Sequence, residues 1–357
     1  MDHPYIIGRA VPERPDIELC QEWIAKCSSE HAICAKIEDA ALPTRLLDVG
    51  SGASTHPRLV FTNNLQKGRY AALSHCWGST VTLCTTTENV ARHAVCMPFD
   101  NLPLTFRHAV SVTRLLGLTY LWIDSLCILQ DSPEDWQAEC RRMEQIYENA
   151  AVVIAGPAAA SSASGFYFSR PMSVIPPIRL PGNEHDDLLV GLSRVSSASE
   201  RIPPTEKDSI LTTRGWIVQE RLLAQRVLYF GSHQFYMECD HTSHFESSWE
   251  AIDSRDDYTK GMVNCSRGKM ALMRWYRTVE IYTACNITRA TDRLPALAGL
   301  ARRYAKLVQD TYLAGLWRNY VIHGLQWCLH GGPSGLRLGT HRGPSWSWAS
   351  LDDPVSY

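Results

Sequence analysis

Leu118-Thr119-Tyr120-Leu121-Trp122-Ile123, then Ser132-Pro133-Glu134-Asp135, then Ala151-Val152-Val153-Ile154-Ala155 are the runs that decide the fold class of this chain. The first and last are of strand length and mostly apolar, as strands covered on both faces must be. Between them Ser132 is a good N-cap, Pro133 suits the first helical position and Asp135 completes a capping arrangement, so a helix is predicted over Pro133–Ala150. At about 100° per residue, Trp136, Cys140, Met143, Ile146, Tyr147 and Ala150 fall on one apolar stripe. A strand, a helix and a strand in that order imply a crossover between parallel neighbours.

Working outward, Tyr70–His75 reads as another buried strand, and Leu104–Leu116 as an amphipathic helix opened by Pro103. The expectation is an α/β fold with a mostly parallel sheet flanked by helices, its core unit spanning residues 67–160. Residues 1–66 read as a lead-in packing on that core, with a helix near Ile17–Cys27 and an extended segment at Leu42–Val49. The small, polar-leaning stretch Ala158–Ser164 is the best candidate for a hinge or domain boundary. Residues 161–357 read as an irregular α+β portion. Helices are expected at Gly215–Leu223, Met270–Tyr282 and Leu294–Leu307, and strands at Arg226–Phe230 and Gln234–Glu238. Pro344–Ser350 reads as a short strand with Trp346 and Trp348 on one face.

A chain of 357 residues can bury a large core without staples. Its 35 Lys+Arg against 37 Asp+Glu leave a net charge of -2, which gives no electrostatic reason to expect nucleic acid. Hydrophobic residues at 45% exclude a largely disordered chain. No apolar run approaches the roughly 18 residues of a membrane span, and the first residues carry no signal-peptide pattern. The 12 cysteines are accordingly expected as reduced thiols in a cytoplasmic protein.

In an open sheet, ligands collect at the carboxyl ends of parallel strands. One such end reads Ser74-His75-Cys76-Trp77-Gly78, the other Asp124-Ser125-Leu126-Cys127-Ile128-Leu129-Gln130. A small-molecule ligand is expected in the cleft between them. Glu139 falls inside the apolar stripe of the helix that follows, and a buried carboxylate must be paired, protonated or turned toward a cleft. Glu139, Asp124 and His75 are therefore the candidate catalytic residues. Ser74, Cys76, Trp77, Gly78, Ser125, Cys127, Gln130 and Tyr147 are the candidate substrate-binding residues.

Other patterns are weaker. His75 and Cys76 are adjacent, so on a strand they point to opposite faces. No G-x-S-x-G elbow surrounds Ser125. Neither a dinucleotide fingerprint nor a P-loop is present, so no cofactor is expected. Cys27-x3-His31-x2-Cys34, with Cys20 upstream, has metal-ligand residue types but lacks the C-x2-C pairs of common zinc modules. His241-x2-His244 beside Cys239 and Asp240 is similar, and no metal is assigned to either.

Taken together, Tyr70–Gly78, Tyr120–Asp131, Asp135–Ala150, Arg214-Gly215-Trp216-Ile217-Val218-Gln219-Glu220-Arg221-Leu222-Leu223 and Pro344–Ser350 resemble, in order, the blocks of the fungal heterokaryon incompatibility (HET) domain family. Cys27, His31, Cys34 and Leu42–Val49 resemble its lead-in. Leu129 stands where that family usually has Asn, and His75 where Tyr is frequent. The resemblance implies a death-triggering effector in self/non-self recognition, with a fold similar to Toll/interleukin-1 receptor (TIR) domains. Some TIR domains hydrolyse NAD with a glutamate on a helix. By that analogy NAD is the candidate substrate and Glu139 the glutamate, with Trp77 stacking and Asp124 contacting hydroxyls. Two other readings stay open: a non-catalytic, self-associating interaction module, and a stand-alone enzyme performing general acid–base chemistry in secondary metabolism.

Overall fold

The computed structural model describes residues 15–34, 38–50, 52, 55–63, 66–78, 83–167, 178–180, 188–190, 209–232, 234–246, 251–253, 260, 267–329 and 342–357. Their largest sheet has nine strands. These are β1 (Arg45–Asp48), β2 (Arg58–Phe61), β3 (Tyr70–Ser74), β4 (Tyr120–Trp122), β5 (Val152–Ala155), β6 (Arg226–Phe230), β7 (Phe235–Cys239), β8 (Thr242–Phe245) and β9 (Ile252–Asp253). The spatial order is β9-β8-β7-β6-β5-β3-β4-β1-β2.

Only the centre is parallel: β6 with β5, β5 with β3, and β3 with β4. Both flanks are antiparallel, β2-β1-β4 on one side and β6-β7-β8-β9 on the other. The expectation of a mostly parallel sheet is thus corrected to a mixed one. The reason is loop length. The links from β6 to β7 and from β7 to β8 are too short for a crossover, which leaves only a hairpin. One sheet runs through all three segments of the sequence reading, because β1 and β2 precede residue 67 and β6 to β9 follow residue 160.

The central strands β3, β5 and β6 are buried at every position, matching their near-continuous apolar sequence. Helices α1 (Ile17–Glu30), α2 (Val90–Val95), α3 (Leu104–Leu115), α4 (Asp124–Cys127), α5 (Pro133–Asn149), α6 (Gly215–Leu223), α7 (Lys269–Thr283) and α8 (Ala298–Val308) surround them. The α5 start is as expected: Ser132 Oγ accepts from Asp135 N at 3.2 Å, with Pro133 in the first turn. Helices α5, α6, α7 and α8 pack on one another. Across the sheet, Gln21 of α1 donates to Leu115 O at the end of α3 (2.6 Å). Trp23 packs on Phe235 and Phe106 meets His75 edge to face.

Two local expectations change. Ala158–Ser164 is a docked loop: Thr105 N donates to Ser162 O at 3.0 Å and Thr105 Oγ1 to Ser161 O at 3.0 Å. Pro344–Ser350 is a turn, because Ser347 Oγ accepts from Ala349 N (3.1 Å) and curls the chain. Trp348 is therefore fully buried while Trp346 is 41% exposed, and the two do not share a face. Among the described residues no helix is long and apolar enough to cross a membrane.

Candidate functional site

The carboxyl ends of β3 and β4 do bring charged and polar groups together. Alternation along β3 sends Ser74 toward α6 and His75 toward Phe106 of α3. Ser74 Oγ donates to Glu220 Oε2 in a short hydrogen bond. Tyr147 of α5 is the carboxyl group's second hydroxyl partner. Arg214, the residue capping α6, donates to the His75 carbonyl, and its charge interacts with both the Glu220 and the Asp124 carboxylates.

Asp124 begins the one-turn helix α4 at the end of β4. It accepts from Ser125 N at 2.7 Å and from Trp77 Nε1 at 2.8 Å. The oxygen that accepts from Ser125 N stands 3.8 Å from His75 Nδ1. Gly78, at φ +84°, brings the backbone against Ser161, where a Cβ would meet Ser161 Cβ at 2.5 Å. Gln130 braces this corner by donating to Asp124 O (3.2 Å) and Ile128 O (3.0 Å).

The electrostatics follow from burial. Glu220 is 4% exposed, and desolvation pushes its carboxyl from 4.5 to about 7 against the opposing pull of Arg214, Ser74 and Tyr147. Desolvation pushes His75 down to about 4, Asp124 opposing and Arg214 assisting, so its imidazole is neutral at pH 7. The Cys127 thiol is pushed up to about 12 by burial, and Cys76 is raised for the same reason. Neither is a thiolate nucleophile. The buried Ser125 hydroxyl has no hydrogen-bond partner among the described residues. What stands here is a carboxyl that changes charge near pH 7, two hydroxyls, a carboxylate and a fixed guanidinium around one strand end.

Glu139 is elsewhere. It is buried on α5 as expected, but it faces Arg142 (3.7 Å), Thr44 and Arg45, and desolvation raises its carboxyl. Arg45 itself is committed to Asp135 (2.5 Å) and to Cys127 O (2.6 Å). Thr44 and Arg142 line a cavity of about 280 Å³ with Tyr70, at the amino end of β3. Among the described residues no carboxylate lines that hollow, whereas Glu220 and Asp124 stand together at the carboxyl end, both facing Arg214. The chemistry therefore points to the Glu220 corner even though open volume lies at the other. Arg214 and Glu220 were given no role from sequence; the available signal was a carboxylate framed by Ile217, Val218 and Leu223.

Of the metal-type residues, Cys27, His31 and Cys34 lie together with Cys239, and Cys20 is not in the group. His244 bonds Thr242 Oγ1 (3.0 Å) and stacks on Trp23, and His241 stacks on His31.

Residues 70–220 match the family model described as heterokaryon incompatibility protein (HET). The match holds Ser74, His75, Asp124, Tyr147, Arg214 and Glu220, while the four clustered metal-type residues lie outside it. No curated protein matches the chain. No solved structure matches it either.

Proposed function

We infer, from the premise that residues 70–220 are a heterokaryon incompatibility domain, that this chain is a cell-death effector hydrolysing the nicotinamide–ribose bond of NAD. Glu220, rather than Glu139, is the glutamate. The observation carrying this reading is the Ser74–Glu220 hydrogen bond at the carboxyl end of β3, within reach of Tyr147 and Arg214. Ionised Glu220 steadies the oxocarbenium-like ribose as the C–N bond breaks and nicotinamide leaves with the bonding electrons. Water then adds to the ribose carbon and releases a proton. Asp124 accepts from ribose hydroxyls, Trp77 stacks on a ring, and Arg214 holds the negatively charged diphosphate.

The test is nicotinamide release by wild type, Glu220→Gln and Glu139→Gln. Release lost only in Glu220→Gln supports the assignment. Release lost only in Glu139→Gln moves the chemistry to the amino-end cavity.

A second reading rests on closure. Ser74, His75, Cys76 and Glu220 are each no more than 4% exposed, so the corner must open before a nucleotide enters. If wild type releases no nicotinamide while the protein self-associates and remains toxic, the buried network serves an interaction module instead.

A further inference from the structure

Four side chains from two distant parts of the chain meet at one buried point. Cys27 lies in the last turn of α1, His31 caps that helix, Cys34 follows in the turn beyond, and Cys239 ends β7. One ligand atom from each lies within 4.8 Å of all the others, and all four residues are buried. His31 Nδ1 stands 3.4 Å from Cys239 Sγ and 3.9 Å from Cys34 Sγ.

These separations match the edges of a tetrahedron. With Zn–S of about 2.3 Å and Zn–N of about 2.0 Å, ligand atoms around one zinc ion stand roughly 3.5–3.8 Å apart. Disulfide chemistry does not account for the cluster, since three sulfurs cannot pair off and the imidazole would have no part in it.

The surroundings are built for thiolates. Arg226, 1% exposed, places Nε 3.1 Å from Cys27 Sγ. The backbone amides of His241 and Thr242 donate to Cys239 Sγ at 3.4 and 3.3 Å. Three thiolates and a dication leave one negative charge, which the Arg226 guanidinium offsets. Stacking of His31 on His241, at 4.4 Å between ring centroids, fixes the orientation of the ligating ring.

We propose that Cys27, His31, Cys34 and Cys239 bind one zinc ion in a closed Cys3His site. Four protein ligands leave no open position, so the ion is structural rather than catalytic. Thiolate and imidazole ligands in this geometry select zinc over magnesium, calcium or manganese. The site ties α1 to the β7–β8 hairpin, joining residues 208 apart in sequence through His31 and Cys239. Every ligand lies outside the matched segment 70–220, so the ion clamps the two flanks of the HET domain to each other.

The test uses the full chain purified under reducing conditions. Elemental analysis should find about one zinc per chain, and chelator treatment should lower the melting temperature by about 10 °C or more. Cobalt exchanged into the wild type should give tetrahedral d–d bands with thiolate-to-cobalt charge transfer. His31→Cys should keep the metal and shift those bands toward an all-thiolate site, whereas Cys239→Ala should lose it. A chain without zinc that takes up no cobalt overturns the proposal. So does a cobalt spectrum unchanged by Cys239→Ala. If Cys239→Ala does not fold, the wild type and His31→Cys decide: bands that His31→Cys leaves unmoved overturn the His31 ligand and with it the site.

Discussion

Ser74 and Glu220, 146 residues apart, are joined by a short hydrogen bond that ties the end of β3 to the buried face of α6. This one contact makes α6 part of the strand-end corner. It also explains why a carboxylate can be enclosed there, because Ser74, Tyr147 and Arg214 satisfy it from three elements.

The first prediction follows from that enclosure. The folded pKa of Glu220, about 7, is raised from 4.5, so the folded chain holds a proton that the unfolded chain releases. Its stabilising contribution is full below about pH 4.5 and is lost as pH rises through 7. Between pH 4.5 and 8 the wild type should lose about 3 kcal/mol more than Glu220→Gln. Urea unfolding of both proteins at the two pH values measures this. Parallel pH profiles would mean that the carboxyl is solvated.

His75 has the opposite sign. Its pKa is lowered from 6.5 to about 4, so its contribution is present above 6.5 and is lost as pH falls through 4. His75→Phe, packing beside Phe106, should be less acid-labile than wild type over that window. The difference should approach about 3 kcal/mol at its acid end. Equal acid midpoints would count against a buried neutral imidazole.

Gly78→Ala should cost about 2–4 kcal/mol. The φ of +84° is unfavourable for a side chain, and the added methyl would meet Ser161 Cβ at 2.5 Å. Ser161→Gly in the same chain should recover the steric part and leave the backbone part. Full recovery in the double variant would show that φ carries no cost.

Beside the corner, Arg221 grips Glu238 with two hydrogen bonds of 2.7 and 2.8 Å, and Glu238 is fully buried. Arg221→Met takes the bidentate partner from that carboxylate, leaving Tyr229 and Lys260 beside it, and should destabilise by about 3–5 kcal/mol. Adding Glu238→Leu should restore most of the loss, since a buried pair replaced by apolar groups is often neutral. A double variant as weak as the single one would show that Tyr229, whose hydroxyl donates to Glu238 at 3.3 Å, also needs the charge.

How much of this was legible depended on whether the signal was local. Ser132, Pro133 and the stripe through Met143, Ile146 and Tyr147 specify α5 within one segment, and the helix forms there. The antiparallel flanks were also legible in principle, in the short links on either side of Phe235–Cys239. Glu220 was not, because α6 buries Gln219 and Glu220 next to Ile217 and Val218, so no polar face stands out by period. Cys239 completes a group whose other members lie some two hundred residues upstream, and no spacing rule reaches that far.

Glu139 separates a buried carboxylate from a functional one. Its side chain is 3% exposed, one carboxyl oxygen has no hydrogen-bond partner among the described residues, and its ion pair with the 41%-exposed Arg142 is loose at 3.7 Å. An exposed partner at that distance stabilises little, so removing the charge should remove about as much desolvation cost as attraction. Glu139→Gln is expected to melt within about 1 kcal/mol of wild type at pH 7 and to leave nicotinamide release unchanged. Arg45→Met should cost more, because it removes the guanidinium from the Cys127 carbonyl and from half-buried Asp135 together, leaving Asp135 with the Leu129 amide at 2.8 Å. If Glu139→Gln were instead the more damaging change, Arg45 and Arg142 would be holding that carboxylate as a network, and the amino-end cavity would become the place to look for a ligand.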